Sequence, residues 1–162
     1  MAIEPGQAVP NVTLKQMTPE GIKDVATAEL LKGKRVIIFG VPGAYTPVCS
    51  TKHLPGYVEQ ADRLKAEGAD EIVCVSVNDP FVMSAWVEKY GATGKVLMLP
   101  KAELTRALGL DFDLSAYGLA QRSQRYSMVV ENGVAKSVNV ERSIFDRESS
   151  AASRLLAPGP VL

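Results

Sequence analysis

The stretch Arg35–Pro55, RVIIFGVPGAYTPVCSTKHLP, decides how the chain folds. After Arg35, its next six residues are apolar and rich in β-branched side chains, the composition of a strand buried on both faces. Pro42-Gly43 and Pro47 then break the run into a loop. From Cys49 to about Glu67 the spacing becomes helical, with Leu54, Val58, Ala61 and Leu64 on one side and Gly68 as the stop. Pro55 and Gly56 predict an irregular or kinked first part of that helix. Cys49 therefore stands where a strand hands over, through a proline-rich loop, to a helix.

Working outward, the same alternation continues. Glu71–Val77 (EIVCVSV) reads as a second buried strand, and Asn78-Asp79-Pro80 as a helix start with proline in the first turn. That helix carries Phe81, Val82, Ala85, Trp86 and Lys89 and ends near Gly91. Val96–Leu99 reads as a short strand and Lys101–Leu108 as a helix closed by Gly109. Tyr126–Glu131 and Val134–Val140 flank Asn132-Gly133, the strongest short signal for a hairpin. Glu148–Leu156 reads as a last helix and Ala157–Leu162 as a tail. The first thirty residues add a short hairpin turning at Pro19-Glu20-Gly21. The order β, α, β, α, β, α, β, β, α implies an α/β fold: a central mixed β-sheet flanked by helices, with an N-terminal β-hairpin. Parallel strands followed by a closing antiparallel hairpin fit a thioredoxin-like core, and 162 residues fit a single domain, 1–162.

Composition narrows the classes of function. Lys and Arg number 18 and Asp and Glu 18, so the formal net charge is zero and no basic face for nucleic acid is expected. Val36–Phe39, among the longest apolar runs, is too short to span a bilayer. Two cysteines, Cys49 and Cys74, are too few for a disulfide scaffold and suit a reducing compartment. Met1–Pro10 lacks the apolar core of a signal peptide, so a cytoplasmic location is the expectation.

Cys49 is the candidate nucleophile. The thiolate is the reactive form, and the unpaired N–H groups and positive dipole of a helix N-terminus favour an anion there. A dithiol oxidoreductase of thioredoxin type has Cys-x-x-Cys at this place. Here the first position is Thr46, so no local disulfide can form, and a hydroxyl three residues before the sulfur can hydrogen-bond to it or to an oxygen approaching it. That pattern argues for chemistry on an oxygen substrate, with a sulfenic acid as product. His53, the only histidine, follows Cys49 by one helical turn and is a candidate base, although a thiolate already formed needs none. One histidine does not make a metal site.

Pro42-x-x-x-Thr46-x-x-Cys49 resembles the peroxiredoxin signature. With Pro55-Gly56 after it and Ser76-Val77-Asn78-Asp79 later, residues 3–142 resemble the type II (peroxiredoxin-5-like) peroxiredoxins of the thioredoxin-like superfamily. The resemblance implies a thiol peroxidase that reduces hydrogen peroxide and alkyl hydroperoxides through a Cys49 sulfenic acid. It implies that Arg125, in Arg122-Ser123-Gln124-Arg125-Tyr126, approaches Cys49 from a late strand to stabilise the thiolate and hold the peroxide. Thr46 and the Cys49 N–H would share that task, and Pro42 would cover the site. Arg122 is expected to be structural, Trp86 to pack in a core or dimer interface, and Leu114, Tyr117 and Leu119 to wall an apolar entrance or simply pack. The family further implies a homodimer, no metal and no organic cofactor.

Two questions stay open at this level. Cys74, flanked by Val73 and Val75 that point the other way, is either a buried core cysteine or the resolving thiol, since its spacing from Cys49 resembles that of plant-type members. The electron donor is glutaredoxin with glutathione, or thioredoxin. The competing reading of the whole chain is a thioredoxin-fold redox sensor or relay without rapid turnover. The sequence departs from the family at Tyr45, where phenylalanine is usual, at Leu99–Ala102, where the loop is about two residues shorter, and at Ala120, where glycine is common.

Overall fold

A computed structural model describes residues 2–100, 102–143 and 150–155. Strands β1 (Thr13–Thr18) and β2 (Gly21–Ala26) form the N-terminal hairpin, turning where Pro19-Glu20 predicts. A short helix α1 (Thr27–Leu31) leads to β3 (Arg35–Val41). Helix α2 (Leu54–Ala66), β4 (Glu71–Ser76), α3 (Pro80–Lys89), β5 (Leu97–Pro100) and α4 (Ala102–Ala107) follow. Two three-residue strands, β6 (Asp111–Asp113) and β7 (Gln121–Ser123), pair with each other before β8 (Tyr126–Glu131) and β9 (Val134–Val140) close the fold.

The central sheet has the order β5-β4-β3-β8-β9. β3, β4 and β5 run parallel, and β8 and β9 close the sheet antiparallel, which is the mixed sheet the sequence implies. Asn132 and Gly133 both have positive φ, 47° and 79°, as a two-residue hairpin turn of this hand requires.

Strand alternation sorts the core onto two faces. Ile37, Phe39 and Val41 of β3 and Ile72 and Cys74 of β4 face one side, where Leu54, Tyr57, Ala61 and Leu64 of α2 and Met83 and Trp86 of α3 cover them. Val36, Ile38, Val73 and Val75 face the other, against Leu104, Leu108 and Leu14. Gly40 lies opposite Tyr126 in the β3–β8 register, and a Cβ there would fall 2.0 Å from the Tyr126 ring. Only glycine lets that buried ring lie across the strand.

Several expectations change. Helix α3 buries Met83 and Trp86, whereas Phe81 is 64% exposed, because it falls on the solvent side of the first turn. The tripeptides of β6 and β7 and the five residues of α1 are too short to carry a periodicity. Of the proposed helix Glu148–Leu156, the described part is a 3₁₀ turn at Ala152–Leu155, and residues 144–149 and 156 lie outside the described residues, as do Lys101 and the proposed tail Ala157–Leu162. Among the described residues, no helix is long and apolar enough to cross a membrane.

Candidate active site

The loop after β3 places the candidate nucleophile. Helical backbone begins at Pro47, two residues earlier than the sequence reading, so Cys49 sits in the first turn rather than at its first residue. Ser50 N–H donates to the Thr46 carbonyl at 3.0 Å, closing the first helical bond. The N–H groups before it, that of Cys49 included, have no carbonyl ahead of them in the helix. Cys49–His53 forms a π-helical turn before the regular α2, the irregular start that Pro55 and Gly56 foretell. Helix α3 ties this turn down: Trp86 Nε1 donates to Ser50 Oγ at 3.0 Å.

Arg125 reaches Cys49 across the sheet. It immediately precedes β8, and the Gly40–Tyr126 register sets it beside the end of β3. Its Nη2 donates to Cys49 Sγ at 3.1 Å and its Nη1 to His53 Nδ1 at 2.9 Å. Arg125 is 2% exposed and Cys49 fully buried. A donor-only guanidinium held against a sulfur out of water is a partner for a thiolate.

Thr46, Pro42 and Arg125 line one pocket of about 400 Å³, walled by Tyr45, Pro47, Val48, Tyr117 and Leu119. Tyr117 and Leu119 thus stand at the entrance, while Leu114 belongs to the buried core. The Thr46 hydroxyl does not donate to sulfur: it donates to the Gly43 carbonyl at 2.7 Å. With its proton committed there, its oxygen is left as an acceptor. Asn78 braces the loop by accepting from Ala44 N–H at 2.9 Å. Arg122 is structural, donating to the carbonyls of Val77 and Leu119, both at 2.9 Å.

The histidine, the candidate base, is tied down on both sides of its ring. Both ring nitrogens are engaged, Nδ1 by Arg125 and Nε2 by the Ser150 carbonyl at 3.2 Å. Position i+4 from Cys49 shows in the sequence; a tie to a residue 72 positions away does not.

Cys74 is a free, fully buried thiol in the same core cluster as Cys49. Burial, and after it the neighbouring Cys49, push its thiol well above the ordinary range, with Arg125 pulling weakly the other way.

Comparison with known proteins places the chain. Residues 4–156 match the Redoxin family. The chain belongs to the redoxin family and is a peroxiredoxin, a thiol peroxidase of thioredoxin-like fold. It is 46% identical over 159 residues to peroxiredoxin-2E-2, chloroplastic, of Oryza sativa subsp. japonica, covering 94% of this chain and 71% of that protein. Reduced Prx3 of Vibrio vulnificus in complex with H2O2 superposes with a TM-score of 0.88 at 49% identity, covering 93% of this chain and 95% of that one. A Burkholderia cenocepacia structure bearing the name of a thioredoxin reductase superposes with a TM-score of 0.93 at 44% identity, covering 99% and 100% of the two chains. Where a thioredoxin-type dithiol has Cys-x-x-Cys, this peroxiredoxin has Thr46-Pro47-Val48-Cys49.

Proposed function

We propose that Cys49 is the peroxidatic nucleophile and that Arg125, Thr46 and Pro42 shape the pocket in which it reacts. The 3.1 Å contact from Arg125 Nη2 to Cys49 Sγ carries the reading, because Arg125 also lines a pocket with Thr46 and Pro42. The Cys49 thiolate attacks the hydroxyl oxygen of a hydroperoxide. An S–O bond forms as the O–O bond breaks, and the bonding pair leaves on the distal oxygen, which takes a proton and departs as water or alcohol. Cys49 is left as a sulfenic acid, the first rung of cysteine oxidation. Arg125 donates toward the charge that develops on the leaving oxygen. Thr46 Oγ, its own proton on Gly43, accepts from the peroxide O–H and orients it. Pro42, buried at the end of β3, keeps bulk water from the sulfur.

The substrates are hydrogen peroxide and alkyl hydroperoxides. The Vibrio relative binds the first, and the walls formed by Tyr117, Leu119 and Val48 suit the organic tail of the second. The sulfenic acid is reduced by an outside thiol, glutaredoxin with glutathione or thioredoxin, rather than by Cys74. Burial at the sheet and a neutral thiol make Cys74 a poor attacking group. The protein acts in the cytosol as a homodimer. Two free cysteines fit a reducing compartment, and Tyr45 and Tyr117, 45% and 59% exposed, offer an aromatic rim to a second copy.

Peroxide turnover by the wild type, Cys49→Ser and Cys74→Ser, each supplied separately with glutathione/glutaredoxin and with thioredoxin, tests this. Cys49→Ser is expected to lose turnover and Cys74→Ser to keep it with at least one donor. Loss in Cys74→Ser, with a Cys49–Cys74 disulfide in the oxidised wild type, would make Cys74 the resolving thiol. Mixed-disulfide formation without multiple turnovers would favour the sensor reading. Light scattering after gel filtration reads the dimer, and fractionation of the source cell reads the location.

A further inference from the structure

A closed ring of buried hydrogen bonds runs behind Arg125. Arg125 Nη1 donates to His53 Nδ1 at 2.9 Å, and His53 Nε2 lies 3.2 Å from the Ser150 carbonyl oxygen. Ser150 in turn donates twice to Glu141 Oε1, from its N–H at 2.7 Å and its hydroxyl at 2.9 Å. Glu141 N–H returns to the Arg125 carbonyl at 2.9 Å. All four residues are buried, Glu141 at 8% exposure being the most accessible.

The donor inventory fixes the protons in this ring. A guanidinium has no acceptor, so His53 Nδ1 must present its lone pair to it. A carbonyl has no proton, so His53 Nε2 must carry the hydrogen that bonds Ser150. Both contacts therefore demand one neutral tautomer with the proton on Nε2. The Ser150 oxygen also accepts from Tyr57 at 2.7 Å, which fills its second lone pair. Ser150 is far from Cys49 along the chain, and what holds it here is the Glu141 carboxyl.

We propose that Glu141 and Ser150 form a latch that fixes the His53 tautomer and so aims Arg125 at Cys49. His53, Ser150 and Glu141 are positioning residues: they act on the sulfur only through the guanidinium. The segment at Ser150 thereby sets the precision of a site whose nucleophile lies about a hundred residues earlier, and an ångström of misplacement in such a site costs on the order of 100-fold in rate. The proposal rests on Arg125 serving the peroxide reaction as proposed above.

His53 is the only histidine, so protein labelled with ¹⁵N-histidine gives one imidazole spin system. In the reduced wild type, the long-range proton–nitrogen spectrum is expected to show a protonated Nε2 and an unprotonated Nδ1. Glu141→Ala is expected to lose that single fixed pattern and to lower the rate of Cys49 oxidation by one peroxide equivalent about tenfold. Glu141→Gln, which keeps an acceptor oxygen, is expected to retain both. Ser150→Ala removes one of the two donors to Glu141 and serves if Glu141→Ala does not fold; a partial loss of both readouts is expected. A wild-type ring protonated on Nδ1, or a change in only one of the two readouts, would overturn the proposal. If the wild type failed to react with peroxide, the functional reading would fall while the imidazole spectrum still judged the latch.

Discussion

Arg125 and Cys49 meet at 3.1 Å although 76 positions separate them, with the guanidinium donating to a sulfur that has no exposed surface. Arg125→Ala leaves the sulfur and the leaving oxygen without that donor. The second-order rate of Cys49 oxidation, read by stopped flow, is expected to fall by roughly 10²–10³-fold. Arg125→Lys keeps the charge but not the fork that serves sulfur and imidazole together, and should recover only part of the loss.

Thr46 offers a sharper division between hydroxyl and shape. Thr46→Val keeps the volume but loses the bond to Gly43 and the oxygen proposed to orient the peroxide. A drop of about 10²-fold in the same rate is expected. Thr46→Ser should retain most activity. Activity kept in Thr46→Val but lost in Thr46→Ser would mean that the methyl group, not the oxygen, matters.

The alkaline limb of stability has a definite sign. Burial raises Cys74, Tyr57 and Tyr126 above their ordinary values. The native chain therefore holds protons that the unfolded chain releases above about pH 8.5 for cysteine and about pH 10 for tyrosine. Their contribution is complete below those values and falls above them, by about 1.4 kcal/mol per pH unit per group. Urea unfolding from pH 7 to 11 should show the decline, and Cys74→Ala should remove its first part, delaying the onset to about pH 10. A stability that rose with pH across this range would contradict the burial of these groups.

Ala120 stands at φ 56°, a left-handed backbone that glycine adopts freely and alanine does at a cost of about 1–2 kcal/mol. The departure from the family's common glycine is thus a strained one. Ala120→Gly should stabilise the fold by about 0.5–1 kcal/mol, the larger entropy of an unfolded glycine offsetting part of the relief. The midpoint of urea unfolding measures it.

Much of this architecture could be read from residue types. The apolar runs at Arg35–Val41 and Glu71–Ser76, and Asn132-Gly133 between two others, declare themselves because burial and turn sterics act on neighbours in sequence. Cys49 and Thr46 are legible from their local spacing, three positions apart at a helix start, whereas the site role of Pro42 is legible only through the family signature. Arg125 was legible only through family resemblance, since no local rule says which of many arginines crosses a sheet. His53 shows the limit. Its place one turn beyond Cys49 suggests a base, and the bond that occupies it comes from Arg125. The short pair β6–β7 and the Ser150 contacts arise from tertiary packing alone, so no periodicity announces them.

The most direct test of the account is oxidation of reduced Cys74→Ser protein by a single equivalent of hydrogen peroxide, followed by sulfenic-acid trapping and mass analysis of the peptide holding Cys49. The account predicts one trapped sulfenic acid per chain at Cys49, formed at a rate linear in peroxide. An unmodified Cys49 with peroxide left unconsumed would contradict it.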